Sequence, residues 1–583
     1  MKLINRINIK LEGLIQAVIR FPLTVVFLLA LVILNSIMIN APKPELEKFL
    51  VTMVVGAFFS IDFQMIYERF YLHKRYRLIL YIASILLTLV YFMLYSNFSE
   101  INQEVIVRTI VIVLALGMGF IWIPSIKNEI TFNQTFLAAF KSFFISLFFS
   151  SIIFLGLTLI YGATDQLLLP LSEKIYAHTA NIVFLMFATI YFLSLIPRYG
   201  EKNLEEISRA TSCPKFLEIL LSYIIVPLTS VFTLILLIYI ATNVRGSFWE
   251  DDLLEVMLVS YIIVVILIYI LVSNVDNRFT EIFRKVFPKI LVVIVLFQTI
   301  NSIMRMGDYG ITYGRYYVIL FGIFALITGI WFSIKPVEKN GIVPLVLLVC
   351  ILVSMMPFVD AFKLSEKSQR ALLEEELIKN EMLIDGKIIP NENLDLSTKK
   401  KITYAVTYLY RMDYQDDISW LPKDFMDFEE IFGFDPYIYD RQIEGEDIHI
   451  YPKEDEALNI AGFDYLINLY VGYEKGNDFS ETEYEIVHEG SKYIIKLDYR
   501  DDDVYVLIKD EKEKNLMEIS GRDLTKDLRE NYEAGQELNM ADSRVEFTSE
   551  EFNITAMFKY LDMSSGGESY RFDGELILLI DFN

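Results

Sequence analysis

The chain of 583 residues is 54% hydrophobic and 14% aromatic, with a mean hydropathy of +0.41. That is too apolar for one ordinary soluble globule and too rich in aromatic side chains for intrinsic disorder. Residues 1–362 hold 27 Lys and Arg against 23 Asp and Glu, whereas residues 363–583 hold 25 against 52. A faintly basic apolar section is therefore joined to an acidic polar tail of net charge −27, which excludes nucleic acid and anionic lipid as partners of that tail.

In chain order, the first residues carry charges throughout and no apolar core ending in a small-residue cleavage site, so no cleavable signal peptide is expected. Leu3, Ile4, Ile7, Leu11, Leu14, Ile15 and Val18 lie at helical spacing opposite Arg6, Lys10, Glu12 and Gln16. This predicts an in-plane amphipathic helix over residues 1–20 that leads into the first span.

A bilayer core of roughly 30 Å needs about 20 apolar residues in a helix. Uncharged runs occupy 21–40, 78–99, 109–126, 142–164, 179–197, 219–244, 256–275, 316–334 and 340–359. Two weaker candidates cover 49–67, with Asp62 inside, and 288–304, bounded by Lys289 and Arg305. The expected fold class is thus a membrane all-α bundle of about eleven transmembrane helices over residues 21–362, followed by a soluble α+β domain. With the N-terminus inside, the cytoplasmic segments collect 20 Lys and Arg, including Arg20, Arg77 and Lys141, against six on the other side. Because positive charge is retained on the cytoplasmic side, this asymmetry predicts a cytoplasmic N-terminus and an extracytoplasmic tail.

Polar groups within spans are costly unless paired or hydrated, so they point to pathways. The candidates are Asp62, Arg108, Glu218, Asn274, Gln298, Asn301 and Asp360. Lys141 matches Asp62 in height, whereas Arg108, Glu218 and Asp360 fall near interfaces and need no special role. The run from Arg305 to Tyr317 combines three glycines with Tyr309, Tyr313 and Arg315. It fits an aromatic belt with snorkelling arginines, and less well a rim for an anionic headgroup.

In the tail, residues 364–383 and 398–412 read as helices, making 363–412 a helical stalk or linker before an acidic domain over 413–583. There Tyr493, Ile495, Leu497 and Tyr499 alternate before Val504, Val506 and Ile508, and Phe552 to Tyr560 alternate before Leu576 to Phe582. Each pair predicts a hairpin, and Leu524, Leu528 and Tyr532 predict a short helix between them. The acidic clusters at Asp413 to Asp417, Glu454 to Glu456 and Asp501 to Asp503 lack the calcium-loop pattern and read as solvated surface. His449 and His488 have no ligand or triad spacing. No phosphate loop or nucleophile elbow occurs, so no metal, cofactor or catalytic residue is assigned.

The stretch Asp308, Tyr309, Gly310, Ile311, Thr312, Arg315, Tyr316 resembles the "YGIT..RY" segment of an uncharacterised family of bacterial polytopic membrane proteins catalogued only as a domain of unknown function. Leu364, Ser365, Ser368 and Gln369 are similar to that family's "LS..SQ" segment, although here Arg370 follows the glutamine directly. The resemblance implies a many-spanned bundle with an appended domain and supplies no activity. Two functional expectations follow. One is an envelope signalling, scaffold or assembly protein, partnered by the bilayer and an envelope component or protein. The other is a secondary transporter or lipid flippase built on the bundle. The candidate functional residues are Asp62, Lys141, Arg305, Tyr309 and Arg315.

Overall fold

The computed structural model describes residues 12–70, 73–96, 101–199, 204–243, 252–423, 428–434, 436, 448–450, 460–474, 483–500, 503–526, 543–549, 551–566 and 569–583. Two compact units emerge: residues 1–375 with 404–418, and residues 376–403 with 419–583.

In the first unit, a helix over residues 12–20 (α1) precedes the membrane-type helices, while the first eleven residues of the predicted in-plane helix lie outside the described residues. Among the described residues, ten helices are long and apolar enough to cross a bilayer: α2 (Pro22–Asn40), α3 (Pro44–Phe70), α4 (Lys74–Tyr95), α5 (Gln103–Ser125), α6 (Phe132–Leu167), α7 (Lys174–Leu195), α8 (Ile207–Thr242), α10 (Arg278–Tyr309), α11 (Tyr313–Ile334) and α12 (Val337–Ser354). Between them α9 (Asp252–Leu271) has a shorter apolar part, Glu255–Leu271. The described helices therefore fall at all eleven expected positions. The two weak candidates are fully helical, because charges near the ends of a span end its uncharged run without ending the helix.

Local signals set the boundaries. The Thr131 hydroxyl and Gln134 side chain form a reciprocal capping box at the start of α6, and Asn277 with Thr280 does the same for α10. Two helices carry π-helical turns, Asn181–Phe187 within α7 and Leu221–Ile225 within α8. The second precedes Pro227, which has no amide to donate and crowds the carbonyl one turn earlier. In the first, Asn181 Nδ2 donates to Val32 O at 2.9 Å and Ser36 Oγ at 3.0 Å, fixing α7 to α2 through the widened turn.

Helices cannot associate by apolar burial in lipid, so close approach matters most. On α11, Gly322, Ala325 and Gly329 form a small-residue seam against α10. A methyl group at Gly322 would overlap the Thr299 hydroxyl, and one at Gly329 would lie 3.0 Å from Val292 Cγ2. After α12 the chain turns at Met355–Asp360, and Asp360 Oδ1 accepts from the Phe362 and Lys363 amides at 3.0 Å each to start a new helix, α13 (Ala361–Lys379). Helix α14 (Leu396–Arg411) follows a short hairpin of β1 (Leu383–Ile384) and β2 (Lys387–Ile388).

The second unit is built on two antiparallel sheets. One orders β3 (Ile448–Ile450), β10 (Phe552–Gly566), β11 (Ser569–Phe582) and β4 (Tyr465–Glu474), with β9 (Val545–Thr548) also paired to β10. The other orders β5 (Glu483–His488), β6 (Ser491–Arg500), β7 (Asp503–Asp510) and β8 (Asn515–Ser520). Both expected hairpins form, β6 with β7 and β10 with β11. Strand β10 continues through Ser564 and Ser565, beyond the alternating stretch that ends at Tyr560. Alternate residues face one shared core of Leu469, Val471, Leu497, Val506, Phe552, Phe558 and Leu578, so the sheets pack as a sandwich without any cysteine. Of the expected helix near Leu524, Gly521–Leu524 is helical, and the part from residue 527 lies outside the described residues.

Two outcomes test this packing in the full chain. Leu578→Ala, at a fully buried position, is expected to destabilise the sandwich by about 2–5 kcal/mol, read from urea unfolding. Gly322→Val should force α10 and α11 apart and lower the detergent-solubilised chain's unfolding temperature, whereas Gly156→Val, whose added Cβ meets nothing within 4 Å, should not.

Candidate functional site

The buried face of α10 changes character halfway along. Phe283, Phe287, Leu291, Ile294 and Val295 give way to Gln298, Asn301, Ser302 and Arg305 in the same spacing of three and four, all buried. Gln298 Nε2 donates to Ser302 Oγ at 3.0 Å, and Ser302 Oγ donates to Glu255 Oε1 on α9. Gln298 Oε1, Thr299 Oγ1 and both side-chain polar atoms of Asn301 are buried without a hydrogen-bond partner. Arg305 thus shares its helix face with these amides. Glu255 was not singled out from sequence, because it sits at the edge of an apolar run where an acid is unremarkable.

Asp62 is buried on α3, with Oδ1 unpartnered and Oδ2 lying 2.8 Å from where a side chain on Gly119 of α5 would begin. The bare glycine makes room for the carboxyl. Lys141 does not meet it; Lys141 Nζ donates to Ser212 O at 2.5 Å instead. Height along the membrane is read from residue counts, but which way each side chain faces depends on packing.

Tyr309 and Arg315 belong to a clamp around the α10–α11 turn. Gly310 adopts φ +69, which glycine tolerates best, and a side chain there would begin 2.9 Å from Gln369 Nε2. That amide donates to the Tyr309 and Ile311 carbonyls at 2.8 and 3.1 Å, and Ser368 Oγ accepts from the Ile311 amide at 2.9 Å. The Tyr408 hydroxyl accepts from the Tyr313 amide at 3.1 Å and donates to Ser365 Oγ at 2.8 Å. The Arg315 guanidinium lies 5.7 Å from the Tyr309 ring and 5.2 Å from the Tyr404 ring. The two short motifs of the sequence are therefore parts of one joint.

Beside it, Arg108 of α5 grips both oxygens of Asp360 at 2.7 and 2.8 Å and binds Glu104 at 2.8 Å. Burial works against the charge on Asp360. The hydrogen bonds and charge of Arg108, with the Lys363 and Phe362 amides, outweigh burial and hold its carboxyl below the usual range. Sequence places both near interfaces, and their separation of 252 positions hides the pairing. At the other end of α3, Arg20 binds Glu68 at 2.7 Å and donates to the Ile196 and Pro197 carbonyls at 2.5 and 3.1 Å.

In the sandwich, Asp503 Oδ1 accepts from its neighbour's amide at 2.8 Å and Asp503 Oδ2 lies 3.7 Å from Arg522. Asp501, Asp502 and Glu454 to Glu456 lie outside the described residues. His488 stacks on Phe582 with centroids 4.2 Å apart. Among the described residues no group of three His, Cys, Asp or Glu could hold a metal ion.

Breaking the buried pair with Arg108→Gln is expected to cost about 3–5 kcal/mol. Because the native Asp360 carboxyl is held low, its contribution is complete above roughly pH 4, the ordinary aspartate value, and disappears as pH falls through the depressed native value. Thermal unfolding of the full chain between pH 3 and 7 should show that acid-dependent loss, and Arg108→Gln should flatten it. Separately, Ser368→Ala should speed hydrogen exchange at the Ile311 amide while leaving the sandwich amides unchanged.

Comparison with known proteins yields no match among curated proteins and none among solved structures. A family model described as "Domain of unknown function (DUF4153)" matches residues 23–385, a range that takes in the membrane helices, the clamped turn and α13. The chain belongs to this family of unknown function, as a multi-pass membrane protein whose activity is not assigned.

Proposed function

We propose that this is a bacterial plasma-membrane protein of the cell envelope, acting in signalling, scaffolding or assembly through an extracytoplasmic binding domain. In this reading residues 1–20 lie in the inner leaflet, residues 21–362 form the bundle, 363–412 link it onward, and 413–583 bind an envelope component or partner protein. The observation that carries it is the Lys and Arg asymmetry of the loops, 20 against six, over eleven helices. With α9 counted as a crossing the number is odd, and the acidic tail then lies opposite the basic loops.

The test is protease accessibility of an epitope fused after Asn583, in intact and lysed cells. Cleavage in intact cells is expected. Protection until lysis would place the tail in the cytoplasm and overturn the envelope reading.

A second reading, a secondary transporter or lipid flippase, is favoured by the unpartnered Asp62 carboxyl and by π-helical turns inside α7 and α8. Irregular helices and intramembrane acids are the features such proteins use. In cells dependent on this chain for growth, Asp62→Asn should fail to complement while Asp62→Glu retains partial function. Full complementation by Asp62→Asn would remove that reading's main residue.

A further inference from the structure

The polar stretch of α10 leaves four atoms unmatched: Gln298 Oε1, Thr299 Oγ1, Asn301 Oδ1 and Asn301 Nδ2. Gln298 and Asn301 are completely buried. A buried polar atom without a partner is costly, so these positions are unfavourable unless something else occupies them. Nearby polar groups are already committed, since Gln298 Nε2, Ser302 and one Glu255 oxygen satisfy one another.

The unmatched set defines its occupant. On the face shared by Gln298 and Asn301, three positions apart, it contains acceptors in the two amide oxygens and donors in the Asn301 amino group, whereas Thr299 points away from Asn301. A bare cation would leave the donors unmatched, and an anion would leave the acceptors unmatched. No ionised side chain belongs to the set. A hydroxyl group both donates and accepts through one atom. Residues 298 to 301 span roughly 4.5 Å of helix rise, the scale of 1,3-related hydroxyls on a sugar ring or the end hydroxyls of a glycerol unit. The α11 backbone closes the set off at Gly322, where a side chain would overlap the Thr299 hydroxyl and begin 3.1 Å from Gln298 Oε1.

We propose that Gln298 and Asn301 form a binding site for a neutral, hydroxyl-bearing group, such as a sugar or polyol, between α10 and its neighbours in the half of the bundle nearest the α10–α11 turn. The site is separate from the proposed binding domain and does not depend on which side of the membrane the tail occupies. The group reaches it either as a free solute or as a lipid headgroup. Because Gln298 and Asn301 are closed off, binding accompanies a local separation of α10 from α9 or α11.

The test uses the full chain purified in lauryldimethylamine oxide, which has no sugar. Thermal unfolding is followed with methyl glucoside, with octyl glucoside below its micellar concentration, and with octyl phosphocholine as a charged control. A saturable rise of about 2–4 °C is expected from one or both glucosides and not from phosphocholine. A response to methyl glucoside identifies a free-solute site, and a response to octyl glucoside alone identifies a headgroup site. The double variant Gln298→Leu/Asn301→Leu should lose the response while unfolding no earlier than wild type without ligand. If it does not fold, equilibrium dialysis of radiolabelled methyl and octyl glucosides against wild type and Asn301→Ser decides. Weaker binding by the serine variant supports the site. No saturable response in wild type, or an equal response in the variants, means that water alone fills the cluster and overturns the proposal.

Discussion

Hydrocarbon offers no hydrogen-bond partner, and this constraint shapes residues 22–354 more than any side-chain contact does. It makes each crossing a helix, and it forces hydroxyls in those helices to turn back on their own backbone. Thr88, Thr109, Thr229 and Thr233 all donate to the carbonyl four residues earlier. Against that background, a polar side chain without such an internal solution stands out. Asp62, Gln298 and Asn301 are of that kind.

The same constraint explains what could be read in advance. A span must be long and apolar, so its place is written in composition, and even the two weak candidates were found. Strand alternation was equally legible, since a half-buried strand repeats every second residue and Phe552, Ile554, Ala556 and Phe558 obey that period until a bulge before Tyr560 shifts it. Partnerships were not legible. Asp62 and Lys141 share a height, yet one rests on Gly119 and the other caps the chain at Ser212. Nothing in one sequence encodes the rotation of a helix about its axis. Arg315 illustrates a second limit, because snorkelling and clamping call for the same residue type near an interface. The placement of its guanidinium by Tyr309 and Tyr404 is visible only once the chain is folded.

The two sections meet different physical demands. The bundle relies on close approach at small residues, on buried ion pairs such as Arg20 with Glu68, and on the joint around Gly310. The sandwich relies on ordinary apolar burial between two sheets, which lets its surface carry the excess of acid. Cys213 and Cys350 are both free thiols, so neither section depends on oxidation.

The joint around Gly310 also imposes an order on biogenesis. Helices α10 and α11 leave the ribosome before Ser368 and Gln369, which supply the groups that close the turn between them. During insertion the Tyr309 and Ile311 carbonyls must be held by interfacial water, and only a later segment displaces it. Tyr408, further along still, closes the Tyr313 amide last. The turn is thus completed only after synthesis has passed the membrane section, since its closing groups come from α13 and α14.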